Sequence, residues 1–274
     1  MTSPSPSPSP SPRTRRQPPP FRRVEVRTVE RPTPRLVRIT LAGPELEGLT
    51  IERPAASVRL LVPSPGEGSP AEVALVIPAW NGNEFLLPDG ARPALRTFTP
   101  RRVGRTTLDL EIVVHGSGPA SGWADAARPG DPAAVSGPGR GYEIDENATS
   151  FLLAGDETAI PAIGQLLEVL PADHPVHVHI EVGHPDARLD LPDHPHATVE
   201  WHDLPAGAPP GDAMVGAVLA TDLAPDARVW VAGEAAAVQR IRRHLFEELG
   251  LPRAQAWVRG YWKHGRHGDA EDDQ

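Results

Sequence analysis

The sequence predicts two domains in series, an antiparallel β-barrel followed by a mostly parallel α/β sheet, and three observations point there. The chain has 274 residues, more than one small core needs and enough for two domains of ordinary size. Up to about Asn147, short alternating apolar runs are separated by Pro/Gly clusters, the pattern of half-buried antiparallel strands. After Ser150 the rhythm changes to apolar strands alternating with helical patterns, which implies a parallel sheet covered by helices on both faces.

The elements follow in order. From Thr2 to about Pro20 runs an alternating Ser-Pro tract, then Arg13, Arg15, Arg16 and more prolines, a composition that cannot bury a core; residues 1–20 are expected to form a disordered tail. Residues 21–148 make the barrel, with strands at Val24–Val29, Leu36–Leu41, Ser57–Val62 and Leu108–Val114, a strand-like segment at Arg96–Thr99, and one short helix from Ser121 to Arg128. Residues 149–267 make the α/β domain. Its strands are Phe151–Ala154, His177–Val182, Thr198–His202, Arg228–Ala232 and Ala256–Trp262, and its helices are Ile160–Leu170, Ala213–Thr221 and Ala235–Leu249. In the last helix Val238, Ile241, Leu245 and Leu249 recur at helical spacing, and Gly250 with Pro252 supplies the stop. Residues 268–274 form an acidic tail.

Composition narrows the chemistry. With no cysteine, the chain has no disulfide, no cysteine nucleophile, no thiolate-held iron–sulfur cluster and no flavin tethered through sulfur. A formal net charge of -9 argues against a nucleic-acid partner, which needs a basic face. No stretch approaches the roughly 20 apolar residues of a membrane span, and charge and proline stand where a signal peptide needs an apolar core. A cytoplasmic monomer is expected.

Two segments carry the most chemistry. Arg96-Thr97-Phe98-Thr99 combines a cation for a phosphate, an aromatic plane for a flat ring and hydroxyls for ring heteroatoms. Alternation puts Arg96 and Phe98 on one face and Thr97 and Thr99 on the other, so all four serve one ligand only where the strand leaves the sheet or faces a cleft; otherwise this is an amphipathic strand with exposed arginines. The run from His115 through Gly116, Gly118, Ala120, Ser121, Gly122 and Trp123 passes from a strand through a Gly-rich turn into a helix, where backbone can approach a pyrophosphate. Ser121 is placed to cap that helix or to bind a phosphate oxygen. In the α/β part, ligands are expected beyond the carboxyl ends of the strands, at Gly155–Pro161 and at Gly233-Glu234. The loop Asp156-Glu157-Thr158-Ala159 suits nucleotide phosphates, and equally a plain strand-to-helix connection capped by Asp156 or Thr158.

Taken together, Arg96–Arg102, His115–Ala124, Gly130-Asp131, Leu153–Ile163, Val231–Glu234 and Gly260–Gly265 occur in the order seen in the siderophore-interacting proteins, and the chain from Phe21 to about His267 resembles that family. These are flavin-dependent ferric-siderophore reductases similar in architecture to ferredoxin reductases. The resemblance implies an FAD-binding barrel and a nicotinamide-nucleotide-binding α/β domain, noncovalent FAD, and NADPH or NADH as donor. It places Arg96 on a flavin phosphate, Phe98 and Thr99 by the isoalloxazine, and Thr97, His115, Gly118, Ala120, Ser121 and Trp123 in the same cofactor site. It places Asp156, Glu157, Thr158, Ala159, Gly233, Glu234 and Trp262 at the nicotinamide nucleotide. One departure stands out: the family's usual tyrosine is Phe98 here, which keeps stacking and loses a phenolic hydrogen bond.

The implied partner is a ferric siderophore. Such chelates are often anionic, so Arg101, Arg102, Arg259 and Lys263, the only lysine, are the candidate substrate contacts in an acidic chain. A reductase serving a ferredoxin or another protein acceptor, and a siderophore carrier without activity, are the alternatives. Glu181, Asp186 and Arg188 leave the choice between NADH and NADPH open. The histidines between His174 and His202 match no common metal motif, and no protein-bound metal is expected.

Overall fold

The computed structural model describes residues 17–63, 75–114 and 118–265. His115, residues 1–16 of the N-terminal tail and the acidic C-terminal tail lie outside the described residues. Residues 17–20 belong to the fold, where Ser136 Oγ donates to the Pro19 carbonyl at 2.6 Å.

The first half is an antiparallel sheet of seven strands. They are β1 (Phe21–Thr33), β2 (Leu36–Ala42), β3 (Val58–Leu61), β6 (Leu95–Phe98), β7 (Pro100–Val103), β8 (Thr107–Val113) and β9 (Pro132–Ser136), in the order β6-β3-β9-β1-β2-β8-β7. A two-stranded hairpin, β4 (Ala79–Trp80) and β5 (Phe85–Leu86), stands apart. Val37, Ile39 and Leu41 on β2, with Leu108, Leu110 and Ile112 on β8, point inward at a period of two and fill the interior. The edge strands β6 and β7 are consecutive in sequence, separated by Thr99 alone, yet lie at opposite ends of the strand order. The sheet therefore curls into a half-barrel whose two edges meet at one buried residue.

The expected strand at Arg96–Thr99 thus stops at Phe98. Pro100 lacks an N–H to continue a ladder, and it opens the far edge strand instead, paired with Leu110 of β8. The barrel helix α1 spans Pro119–Ala126, two residues earlier than the expected start at Ser121, because Pro119 at the first helical position has its φ preset for the helix.

The second half is a parallel five-stranded sheet, β10 (Phe151–Asp156), β11 (Val176–Val182), β12 (Ala197–Asp203), β13 (Arg228–Glu234) and β14 (Ala256–Trp262), in the order β12-β11-β10-β13-β14. Helix α2 (Ile160–Val169) packs on one face, while α3 (Asp212–Ala220) and α4 (Ala235–Arg243) cover the other, and each face has its own apolar cluster. The expected helix to Leu249 is α-helical only to Arg243; a π-turn over His244–Glu248 completes it, and Gly250, at φ 65°, ends it.

Helix α2 is buried on nearly every side, since the sheet lies behind it and the barrel in front. Its Gln165 makes two hydrogen bonds across the boundary to the barrel half, accepting from Ala55 N at 2.8 Å and donating to Pro100 O at 2.5 Å. Arg101 on β7 makes a two-pronged ion pair with Glu168 of α2 at 2.7 and 3.1 Å. Arg35, in the β1–β2 turn, holds Glu157 with its Nε at 2.9 and 3.0 Å.

Candidate functional site

The two halves meet where Thr99 faces β14. The Thr99 side chain is hydrogen-bonded to the Tyr261 hydroxyl, whose enclosure pushes its pKa up to about 12. Arg96 precedes it by three residues and is half-buried; its single side-chain hydrogen bond among the described residues is its own donation to the Leu95 carbonyl at 2.6 Å. Arg38, Arg101 and Arg228 all face carboxylates, whereas Arg96 meets none among the described residues. A half-buried guanidinium with donors to spare is suited to a phosphate.

Phe98 packs its ring against the barrel core, and Thr97 is exposed on the other face of β6. The alternation read from the sequence therefore holds within β6, and only the break after Phe98 lets Thr99 turn toward β14. Gly118, at φ 103°, begins α1 without a side-chain cap, and Pro119 has no N–H to offer, so the first-turn amides are those of Ala120 and Ser121. Ser121 is buried inside the first turn rather than capping it, and Trp123 leans on the barrel core. The arrangement fits a flavin nucleotide: an uncapped helix start entered from glycine, a cation without a carboxylate, and a buried hydroxyl at the domain boundary.

The carboxyl ends of β10, β13 and β14 are built differently. Asp156 accepts from Thr158 N at 2.9 Å and Thr158 Oγ1 at 2.5 Å through one oxygen, and from Glu234 N at 2.8 Å and Trp262 Nε1 at 2.7 Å through the other. Glu234 in turn caps α4 by accepting from Ala236 N and Ala237 N at 2.6 and 2.9 Å, and its second oxygen accepts from His264 N at 3.1 Å. Gly155 and Gly233 make this closeness possible. A Cβ on Gly155 would lie 2.3 Å from the Ala159 Cβ, and one on Gly233 would lie 2.7 Å from Asp156 Oδ2 at a φ of 154°. Asp156, Thr158, Ala159, Gly233, Glu234 and Trp262 are thus brought together, with their polar groups satisfied by one another. Asp156 is the cap of the turn leading to α2, as the strand-to-helix reading anticipated.

Glu157 turns away from this cluster to Arg35 and to Gly183 N at 2.6 Å. Glu181 does not stand open to a ribose: it is buried and accepts from Gly211 N, Ala213 N and Met214 N at 2.6 to 3.0 Å, capping α3. Arg188 is paired with Asp203 at 2.7 Å.

Of the cationic candidates, Arg102 and Lys263 are exposed, and Arg259 lies over the Trp257 ring at 5.6 Å. Arg101 and Arg102 line a cleft of about 340 Å³ at the domain boundary, but Glu168 neutralises Arg101 and raises its pKa further. The residues the sequence did not single out are Arg35, Gln165 and Glu168. They read as ordinary polar surface, and their partners lie 65 to 122 residues away.

Comparison with known proteins agrees with this architecture. Residues 25–142 match the model of the siderophore-interacting FAD-binding domain, and residues 148–265 match that of the siderophore-interacting protein. The chain is 29% identical over 245 residues to the ferric vibriobactin reductase ViuB of Vibrio cholerae, covering 87% of this chain and 88% of that protein. A solved siderophore utilization protein from T. fusca aligns with TM-score 0.79 and 33% identity over 92% of this chain and 97% of that one. SipS, a siderophore-interacting protein from Aeromonas hydrophila, aligns with TM-score 0.71 and 31% identity over 90% and 99%. The ferredoxin reductase of carbazole 1,9a-dioxygenase shares the fold at 16% identity, TM-score 0.64, over 90% and 70%.

Proposed function

Since the chain belongs to the siderophore-interacting protein family and carries its FAD-binding domain, we propose that it is a ferric-siderophore reductase, passing electrons from NADPH or NADH through noncovalent FAD to Fe(III) and releasing Fe(II) in the cytoplasm. The observation that carries this reading is the seam itself: Arg96, without a carboxylate partner among the described residues, and Thr99, tied to Tyr261 of the other domain, stand on one short stretch.

In this reading Arg96 and the amides of Ala120 and Ser121 hold the phosphates of the cofactor. Thr99 and Tyr261 close the domain boundary against water beside its ring system. Phe98, anchored in the barrel core, fixes where β6 ends. FAD, when bound, accepts a hydride and returns electrons singly, which is what a one-electron metal substrate needs. Siderophores grip Fe(III) through hard oxygen donors, and reduction to Fe(II) weakens that grip. Arg102 and Lys263, both exposed, give an anionic chelate a local attraction in a chain of net charge -9.

A second reading concerns the electron donor. The helix starts of the α/β half are already occupied by Asp156 and Glu234, which favours a protein donor such as a ferredoxin over a nucleotide whose phosphates would meet those carboxylates. One anaerobic assay separates the readings: FAD-loaded protein, a ferric siderophore and an Fe(II)-trapping chelator, supplied in parallel with NADH, NADPH or reduced ferredoxin. Fe(II) formation with a nucleotide supports the first reading, and formation with ferredoxin alone supports the second. Siderophore binding with no Fe(II) from any donor overturns both in favour of a carrier.

A further inference from the structure

The edge strand β12 lies beside β11 in parallel register, His179 opposite Glu200 and Glu181 opposite His202. His179 and His202 therefore come together on the face covered by α3. Their ring nitrogens Nδ1 and Nε2 are 3.1 Å apart, and with a Glu200 carboxylate oxygen the three potential ligand atoms all lie within 4.8 Å of one another. From these positions we propose that His179, Glu200 and His202 form a binding site for a divalent first-row transition-metal ion.

The hydrogen bonds around His179 prepare it for this role. Thr221, at the end of α3, donates its hydroxyl hydrogen to the Ala217 carbonyl at 2.9 Å, so toward His179 Nε2, also at 2.9 Å, it can only accept. Nε2 therefore carries the proton, and the Nδ1 lone pair points at His202. Metal-ligating imidazoles are commonly oriented in this way, one nitrogen donating to a fixed acceptor while the other faces the ion.

The spacing agrees as well. Two nitrogens each about 2.0–2.1 Å from one ion lie roughly 2.8–3.4 Å apart across octahedral or tetrahedral angles. Without an ion, His202 Nε2–H bridges the same gap as a donor to His179; on binding, that proton leaves or moves to His202 Nδ1. Two imidazoles and one carboxylate suit Fe(II), Co(II), Ni(II) or Zn(II), whereas Mg²⁺ and Ca²⁺ prefer all-oxygen sites. Glu200 is exposed and His202 half-buried, so an ion has a route in. The site lies on the opposite edge of the sheet from β14, and an ion there clamps β12 to β11 and, through Thr221, to α3. Of the other histidines of this stretch, His174 pairs with Asp173, His184 accepts from Asp186 N, and His194 faces the Pro171 carbonyl.

The test uses the full chain purified without a polyhistidine tag. Zn²⁺ is titrated calorimetrically and by thermal unfolding, and Co²⁺ is followed by its visible ligand-field bands. The expected result is one ion per chain, a Tm that rises with Zn²⁺ concentration, and affinity lowered at least about tenfold in His202→Gln and in Glu200→Gln. Thr221→Val, which keeps the shape and removes the orienting acceptor, is expected to weaken binding by about 10- to 100-fold, and His177→Ala to leave it unchanged. No binding by the wild-type chain at millimolar Zn²⁺ would show a hydrogen-bonded histidine pair and nothing more. Binding that survives both His202→Gln and Glu200→Gln, or that is lost in His177→Ala, would equally overturn the assignment.

Discussion

The helices of the two halves begin in opposite ways. In the barrel, α1 starts from Gly118 and Pro119 with no side-chain cap, and Arg96 on β6 meets no carboxylate among the described residues. In the α/β half, the turn before α2 is capped by Asp156, α3 by Glu181 and α4 by Glu234, each satisfied by backbone amides. The barrel helix thus begins at a glycine with no side-chain cap from that residue, whereas the α/β helices begin on carboxylates of the chain itself. Breaking a contact that holds a carboxylate of the α/β half should therefore cost mainly stability, and removing the barrel cation that meets no carboxylate among the described residues mainly ligand affinity.

The largest effect expected from that contrast lies at Glu157. Arg35→Ala leaves this buried carboxylate with only the Gly183 amide. Because the Arg35 side chain keeps 35% of its exposure, the cost should fall at or below the low end for a broken buried pair, about 3 kcal/mol, measured by urea unfolding. Flavin affinity should hold; a protein as stable as wild type would break the contrast.

Next is the pH response of Asp156. Burial pushes its carboxyl from 3.8 up to about 6, against the pull of the donors around it. Between those values the folded state binds more protons than the unfolded one, so this group's contribution to stability is greatest below about pH 4 and declines as pH rises through about 6. Relative to Asp156→Asn, wild type should lose up to about 3 kcal/mol across that window in urea unfolding. Equal pH slopes in the two proteins would show that Asp156 stays ionised throughout.

At the seam, Arg96→Ala should weaken FAD binding by about 10- to 100-fold, the worth of a charged hydrogen bond, with little change in stability. Arg101→Ala, five residues on, should do the reverse, since its partner is Glu168; fluorescence titration with FAD and an unfolding curve read both. The smallest effect is expected from Tyr261→Phe, about 1 kcal/mol of stability from the lost bond to Thr99. A drop in flavin affinity larger than that in Arg96→Ala would mean that β14, not β6, dominates the site.

How much of this was legible in the sequence depended on the distance over which each feature is decided. The alternation of β2 and β8, the rhythm of the parallel strands and the apolar face of α4 are set by neighbouring residues, and they were readable as elements. The break at Thr99 was foreshadowed by Pro100, though not the fact that Pro100 opens the strand on the opposite edge. Asp156, Glu157 and Glu234 read as acidic loop residues near a nucleotide. What occupies them, Trp262, Arg35 and the start of α4, follows from tertiary packing that no local pattern encodes. The pairing of His179 with His202 likewise depends on a parallel register between strands joined by a long connection.

Thr99 also has a bearing on how the chain can vary in length. Most connections between strands tolerate an added or missing residue, because slack is absorbed at the surface. Here one residue links β6, in register with β3, to β7, in register with β8, at opposite edges of the same sheet. An insertion would have to slip one of those registers, turning its inward side chains out, or push the Thr99 hydroxyl away from Tyr261. The barrel can therefore accept changes of length in its outer loops, while the seam fixes the count at one.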